Sequence, residues 1–216
     1  MNYDNKPSHY YSKVRYEMLK YLPKKAKKIL EIGCGNGCFG EEIKKSREAE
    51  IWGIEMMTDE ATKAVKVLDK VFVGECQKFL NELPDNYFDA IYFNDILEHI
   101  FDPYIFLKQI KDKLNSNGVV ISSIPNIRYH NVLKNMIIEK DFKYEQHGSL
   151  DFTHIRFFTG KSISRMYREA GYDVIINEGI NRTKSIKPYI YNVLFFFTQM
   201  DIFYLQYATV ASVKKP

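Results

Sequence analysis

The sequence predicts an α/β fold, a doubly wound sheet of seven strands with helices between them. Three observations carry that prediction. Residues 28–40, KILEIGCGNGCFG, read as a buried strand, a glycine turn and a helix. Short apolar runs then recur along the chain with helical spacing between them, the alternation of a parallel sheet with crossovers. Finally, 216 residues, 45% of them hydrophobic and 27% charged, suit one domain with a sizeable core.

The elements follow in order. Tyr11, Val14, Met18, Leu19 and Leu22 have helical spacing, and Pro23 ends that leading helix. Ile29, Leu30 and Ile32 form an apolar run broken only by Glu31, which suits a central strand buried on both faces. Gly33, Gly35 and Gly37 permit positive φ in the turn, and a helix over 39–45 points its free N–H groups into it. Residues 51–55 make the second strand, with Thr58 or Asp59 capping the next helix. Residues 71–73 and 88–93 are the third and fourth strands. A helix over 101–114 closes at Asn117-Gly118, and 119–124 is the fifth strand. Residues 126–159 are longer than an ordinary connection and read as a substrate-side insertion over the strands' C-terminal ends. Thr159 caps a helix over 161–170, 172–177 is the sixth strand, 190–200 a short apolar helix, and 207–213 a final edge strand. The whole of 1–216 is expected to be one domain.

The glycine corner suits a nucleotide, and two ligands compete for it. Gly35, Gly37 and Gly40 satisfy G-x-G-x-x-G with Glu55 about 20 residues on, a dinucleotide pattern. Glu31 argues otherwise. A carboxylate at the strand end repels a pyrophosphate and attracts a cation, such as a sulfonium and ammonium pair.

Composition narrows the setting. The formal charge of +4 is small, and the basic run Lys24, Lys25, Lys27 and Lys28 reads as a solvated face, so no nucleic-acid partner is expected. Cys34, Cys38 and Cys76 are odd in number and match no zinc spacing, which points to a reducing, cytoplasmic compartment. Residues 1–11 are polar and aromatic, so no signal peptide is expected, and the most apolar stretch, 189–197, is too short to span a bilayer.

From E-I-G-C-G-x-G through F-D-A-I, D-I-L-E-H and a closing Q-Y-x-x-V-A, the chain resembles the class I S-adenosylmethionine (SAM) methyltransferases. The string Asn94-Asp95-Ile96-Leu97-Glu98-His99 followed by Asp102-Pro103 is absent from nicotinamide dehydrogenases, which decides against an NAD-dependent oxidoreductase. The resemblance implies a Rossmann-like, mostly parallel sheet with an antiparallel last strand, and SAM as cofactor. It implies Glu31, Gly33, Cys34, Gly35 and Gly37 at the glycine corner. Tyr11 of the leading helix would touch the cofactor, Glu55 the ribose hydroxyls, Met56, Glu75 and Cys76 the adenine, and Asn94, Asp95 and Ile96 the methionine half. The blocks S-I-P-N-I-R and L-D-F-T-H-I-R-F-F-T look like a bacterial subgroup found among surface-polysaccharide methyltransferases, implying O-methylation of a sugar or glycan intermediate. A non-catalytic SAM-binding partner protein is the other alternative.

Methyl transfer to a hydroxyl needs a base, and imidazole titrates near neutrality. His154 and His99 are therefore the catalytic candidates. Arg128, Tyr129, His130, Asp151 and Arg156 are the candidates for holding the acceptor, Arg156 because its planar fork suits an anion. Glu98, His99, His147, Asp151 and His154 are of metal-ligating type, but their spacing matches no metal signature, so no metal is expected. Phe195, Phe196 and Phe197 point about 100° apart on a helix. At least one should face a lid, the substrate channel or a partner, a homodimer being one arrangement.

Overall fold

The structure is a computed structural model, and it describes residues 14–215. Tyr11 lies outside the described residues. The strands are β1 (Lys28–Ile32), β2 (Glu50–Glu55), β3 (Lys70–Val73), β4 (Phe88–Asn94), β5 (Leu114–Pro125), β6 (Tyr172–Arg182) and β7 (Tyr204–Val213). They form one seven-stranded sheet in the order β3-β2-β1-β4-β5-β7-β6. β1 pairs in parallel with both β2 and β4, and β7 runs antiparallel to its two neighbours, β5 and β6. The expected doubly wound, mostly parallel sheet with an antiparallel last strand is present.

Alternation along the strands sends side chains to two separate cores. Leu30, Ile32, Ile91, Phe93 and Val120 pack on one face with Phe106, Leu107 and Ile110 of the helix Pro103–Ile110 and Ile163, Met166 and Tyr167 of the helix Gly160–Glu169. Ile29, Ala90, Tyr92 and Ile121 pack on the other with Met18, Phe39, Ile43 and Ala64. Both faces of the central strands are thus covered, which is why β1 and β4 read as nearly unbroken apolar runs.

Several expected boundaries move, each for a physical reason. β7 is not the edge strand: it sits between β5 and β6, and both faces of its middle are buried. Asn117-Gly118 lies inside β5, where the pairing with β4 shifts register between Phe88 and Ala90, a bulge rather than a helix end. The helix Thr58–Ala64 takes no side-chain cap from Thr58 or Asp59, because both lie inside its first turn and Met57, which has no polar side chain, holds the N-cap position. The expected apolar helix over 190–200 is the helix Lys187–Val193 followed by a turn in which Phe196 and Phe197 adopt positive φ. No helix among the described residues is long and apolar enough to cross a membrane.

Candidate active site

β1 lies beside β2 on one side and β4 on the other, so the chain leaves the sheet in opposite directions at the C-terminal ends of β1 and β4. This is the switch point at which open α/β sheets hold ligands. A cavity of about 1470 Å³ opens there, lined by Glu31, Gly33, Gly35, Glu55, Asn94, Asp95 and residues from both flanking loops.

At one end the glycine turn and Glu55 are locked together. Gly33 and Gly35 have φ of +73° and +53°, a region L side chains rarely enter. Gly33 N–H donates to the Ile54 carbonyl at 2.8 Å, and Gly35 N–H donates to Glu55 Oε2 at 2.8 Å. Met57 N–H takes the other oxygen. Each Glu55 oxygen therefore holds one backbone donor and keeps a second lone pair, the capacity a vicinal diol needs. Burial raises the Glu55 pKa, and the backbone donors from Met57 and Gly35 pull it back.

Glu31 is buried on the same wall, and its Oε2 has no hydrogen-bond partner. Burial pushes its pKa up to about 8. Asn94 lies close enough to draw that value down, yet neither of its amide atoms forms a well-shaped hydrogen bond. A buried acid and a buried amide with open valences facing a cavity are what an ammonium or sulfonium ligand would complete. Together with the diol-ready Glu55, these residues fit SAM.

Gly37 plays a different part. A Cβ there would meet Val67 Cγ2 at 2.7 Å and the Ala64 backbone at 3.1 Å, so it lets the helices Cys38–Ser46 and Thr58–Ala64 approach. It does not line the cavity. Cys34, Met56, Cys76 and Ile96 do. Glu75 also lines it, half exposed and paired with Lys78 at 3.4 Å. Asp95 holds φ +57° because its neighbours fix it: Ser123 Oγ and Gln206 Nε2 donate to Oδ1, and Arg15 pairs with Oδ2. Arg15 and Gln206 were not singled out from sequence. They come from the leading segment and from β7, and only the antiparallel insertion of β7 beside β5 brings Gln206 to this wall.

The other end of the cavity gathers Glu98, His99 and His154. The carbonyl of Glu98 accepts from Ile155 N–H at 3.0 Å and Arg156 N–H at 3.1 Å, which ties 153–156 to the end of β4. His99 Nδ1–H donates to the Thr153 carbonyl at 3.0 Å, and the His99 and His154 rings meet edge to face at 4.8 Å. His154 Nδ1–H points to the Ser149 carbonyl at 3.3 Å, and its Nε2 lies 3.8 Å from Glu98 Oε1. Glu98 is 1% exposed, and neither carboxylate oxygen has a hydrogen-bond partner. Burial raises its pKa to about 8. Asp151, also lining the cavity, accepts from Thr153 N–H and Oγ1–H and so shapes this loop.

The remaining acceptor candidates stand outside the cavity lining. Arg128 donates to Asp201 and Gln199 and anchors the start of 126–159 to the stretch before β7. His130 is buried beside Tyr129, and burial, then Lys187, lowers its pKa. Arg156 donates twice to the Phe101 carbonyl. It is therefore a strut between the two loops rather than an open fork. Of the segment 126–159, the part over 146–155 lines the cavity.

Comparison with known proteins agrees with this geometry. A family profile described as a methyltransferase domain matches residues 3–176. A Neisseria meningitidis serogroup C protein named ubiquinone biosynthesis O-methyltransferase is 26% identical over 164 residues, covering 72% of this chain and 68% of that one. A protein of the same name from Actinobacillus pleuropneumoniae serotype 7 is 30% identical over 135 residues, 56% of each chain. Among solved structures, a SAM-dependent methyltransferase from Archaeoglobus fulgidus superposes with a TM-score of 0.69 over 90% of both chains at 21% identity, a likeness of fold.

Proposed function

The chain belongs to the methyltransferase-domain family and uses SAM, and from that premise we propose that it methylates a hydroxyl oxygen of a small molecule held at the Glu98–His99–His154 end of the cavity. The reading includes one domain throughout, with 126–159 as the acceptor-side insertion, and a cytoplasmic setting without a nucleic-acid partner. One observation carries it. A single cavity joins a wall suited to SAM, around Glu31, Gly35 and Glu55, to a second wall of buried carboxylate and imidazole.

Bound SAM supplies a methyl group on a positive sulfur, which keeps the electron pair of the S–C bond as the new C–O bond forms. The acceptor's proton must then leave to a group of the protein. His154 and His99 are the proton acceptors this reading assigns, His154 foremost because the backbone ties from Ile155 and Arg156 to Glu98 hold it over the cavity. Glu31 would face the cationic half of SAM, Glu55 its ribose, Met56, Glu75 and Cys76 the adenine, and Asn94, Asp95 and Ile96 the methionine. Positioning matters as much as the base, since in-line transfer needs the oxygen held near attack distance.

The relatives named for ubiquinone biosynthesis support an oxygen acceptor and make an intermediate of that biosynthesis the first candidate. The sugar or glycan acceptor implied by the S-I-P-N-I-R and T-H-I-R-F-F blocks gains no support from them and stands as the second reading. Labelled-methyl transfer from SAM, run in parallel against hydroxylated ubiquinone precursors and against sugar nucleotides, separates the two. Label in neither product class, from a chain that binds SAM, would leave a non-catalytic SAM-binding protein instead.

A further inference from the structure

Spacing along the chain hides a cluster that folding creates. Of the five metal-type residues in this region, Glu98, His99 and His154 come together with their ligand atoms all within 4.8 Å of one another. We propose that these three side chains form a divalent metal site, two imidazoles and one carboxylate, at the acceptor end of the cavity.

The geometry is that of groups held apart around a common point. A hydrogen-bonded His–Glu pair would close to about 2.7–3.2 Å. Here His154 Nε2 stops 3.8 Å from Glu98 Oε1. Ligands sharing one ion at about 2.0–2.2 Å stand roughly 3–3.5 Å apart, so a small inward movement completes the set. Each imidazole is tied back by its other nitrogen. His99 Nδ1–H is directed to the Thr153 carbonyl and His154 Nδ1–H to the Ser149 carbonyl. A backbone carbonyl can only accept, so Nδ1–H is the donor in both of these contacts, the outer-shell tie of metal-binding histidines, and His154 turns its Nε2 toward Glu98.

Glu98 supplies the independent observation. Its carboxylate is 1% exposed, lines the cavity, and has no hydrogen-bond partner on either oxygen. A buried carboxylate without donors is costly unless a cation completes it. Two nitrogens and one oxygen favour a first-row ion such as zinc over magnesium, which prefers an all-oxygen shell. Three protein ligands leave positions open toward the cavity; with an ion bound, the two imidazoles would act as ligands in place of bases, and an acceptor hydroxyl on the ion would lose its proton to water more readily.

The chemical use of the site rests on the hydroxyl reading above, but its existence is tested without it. The full chain, freed of metal by chelator and dialysis, is titrated with zinc sulfate in a calorimeter and with cobalt chloride in a visible spectrometer. One ion per chain should bind, with cobalt giving the strong visible bands of a low-coordinate site. Glu98→Gln and His154→Ala should each weaken zinc binding by about 100-fold, whereas His147→Ala, at the exposed histidine of the same cavity, should leave it unchanged. SAM binding, measured on the same preparations, reports that each variant is folded. No zinc binding by a chain that binds SAM, or zinc binding that survives both Glu98→Gln and His154→Ala, overturns the site and leaves the methyltransferase reading standing. Zinc binding by a chain that does not bind SAM would keep the site and count against that reading.

Discussion

The two ends of the cavity are built by opposite strategies. At the end proposed for SAM, backbone groups of the same strand-turn units hold the wall: Glu55 by Gly35 and Met57, Gly33 by Ile54. Its positions lie within about one βαβ unit, so their spacing is fixed by the fold. At the acceptor end, residues 98–99 meet residues 146–155 across a long separation, joined by the carbonyls of Glu98, Thr153 and Ser149. One end is built into neighbouring strand-turn units of the sheet. The other depends on how one loop happens to dock, and it is there that a substrate would be chosen.

The largest expected effects break the scaffold end. Glu55→Ala removes the acceptor proposed for two ribose hydroxyls, charge-assisted bonds worth roughly 1.5–3 kcal/mol each. SAM affinity measured by calorimetry should fall by about 100-fold at least. Gly35→Val should do the same, since φ of +53° is strained for a β-branched residue and its side chain would enter the ligand space. Retained SAM affinity in a folded Glu55→Ala chain would contradict the assignment of this end. Neither change should touch zinc binding at Glu98, which keeps the two ends experimentally separate.

His154→Ala breaks the other end. It should spare SAM binding and lower methyl transfer by about 100-fold, whether the imidazole serves as base or ligand. Arg156→Ala is the sharper control. Its guanidinium is occupied by the Phe101 carbonyl, so it should act through loop position and raise KM more than it lowers kcat. A normal transfer rate in His154→Ala would reduce that histidine to packing and make His99 the better base.

The same contrast explains what could be read in advance. The place of Glu31, Gly33, Gly35 and Glu55 together on one cavity wall was legible because strand, turn and helix constrain them locally. The seven strands were legible from apolar runs, although β7's place between β5 and β6 was not, since alternation tells that a strand is half buried but not which neighbours it has. Arg15 gave no signal, and Gln206 was read only as part of the closing Q-Y-x-x-V-A, because their meeting at Asp95 depends on that same placement. Arg128 was read as an acceptor contact and Arg156 as an anion fork, but the carboxylate and carbonyl that occupy them lie about 70 and 55 residues away in sequence. The metal-type cluster was missed for a related reason: ligand spacing was sought along the chain, and its members come from two loops.

A gentler test concerns pH at the SAM-facing end. Burial raises Glu31 to about 8, so below that value the folded, ligand-free chain holds a proton there that the unfolded chain, near 4.5, releases. The folded state binds more protons in this window. Its contribution to stability is therefore full below about pH 4.5 and is lost as pH rises toward about 8, at no more than about 1.4 kcal/mol per pH unit. A cationic ligand prefers the ionised acid, so SAM affinity should rise with pH from about 5.5 to 7.5, before the ligand's own ammonium titrates. Glu31→Gln should flatten both trends in denaturant melts and calorimetry. An unchanged pH slope in that variant would place the proton elsewhere.

The smallest effect is expected farthest from both ends. Phe195, Phe196 and Phe197 are 52%, 90% and 52% exposed, as three consecutive residues with no common packing direction should be. Phe196 and Phe197 sit at positive φ in a turn held by Asn192, which accepts from Phe197 N–H at 2.9 Å, so the backbone rather than the rings fixes this loop. Replacing all three by serine should therefore change stability by less than about 0.5 kcal/mol per site. SAM and zinc binding should not move, because none of the three lines the cavity. What should change is association: an exposed cluster of this kind with Leu194, itself 80% exposed, favours contact with another apolar surface. Sedimentation of the parent and the triple variant, at matched concentrations, reads that directly. A lower apparent mass in the variant would assign the loop to contact between copies. An equal mass, together with lost methyl transfer toward an apolar acceptor, would join it to the acceptor end and extend that end well beyond His154.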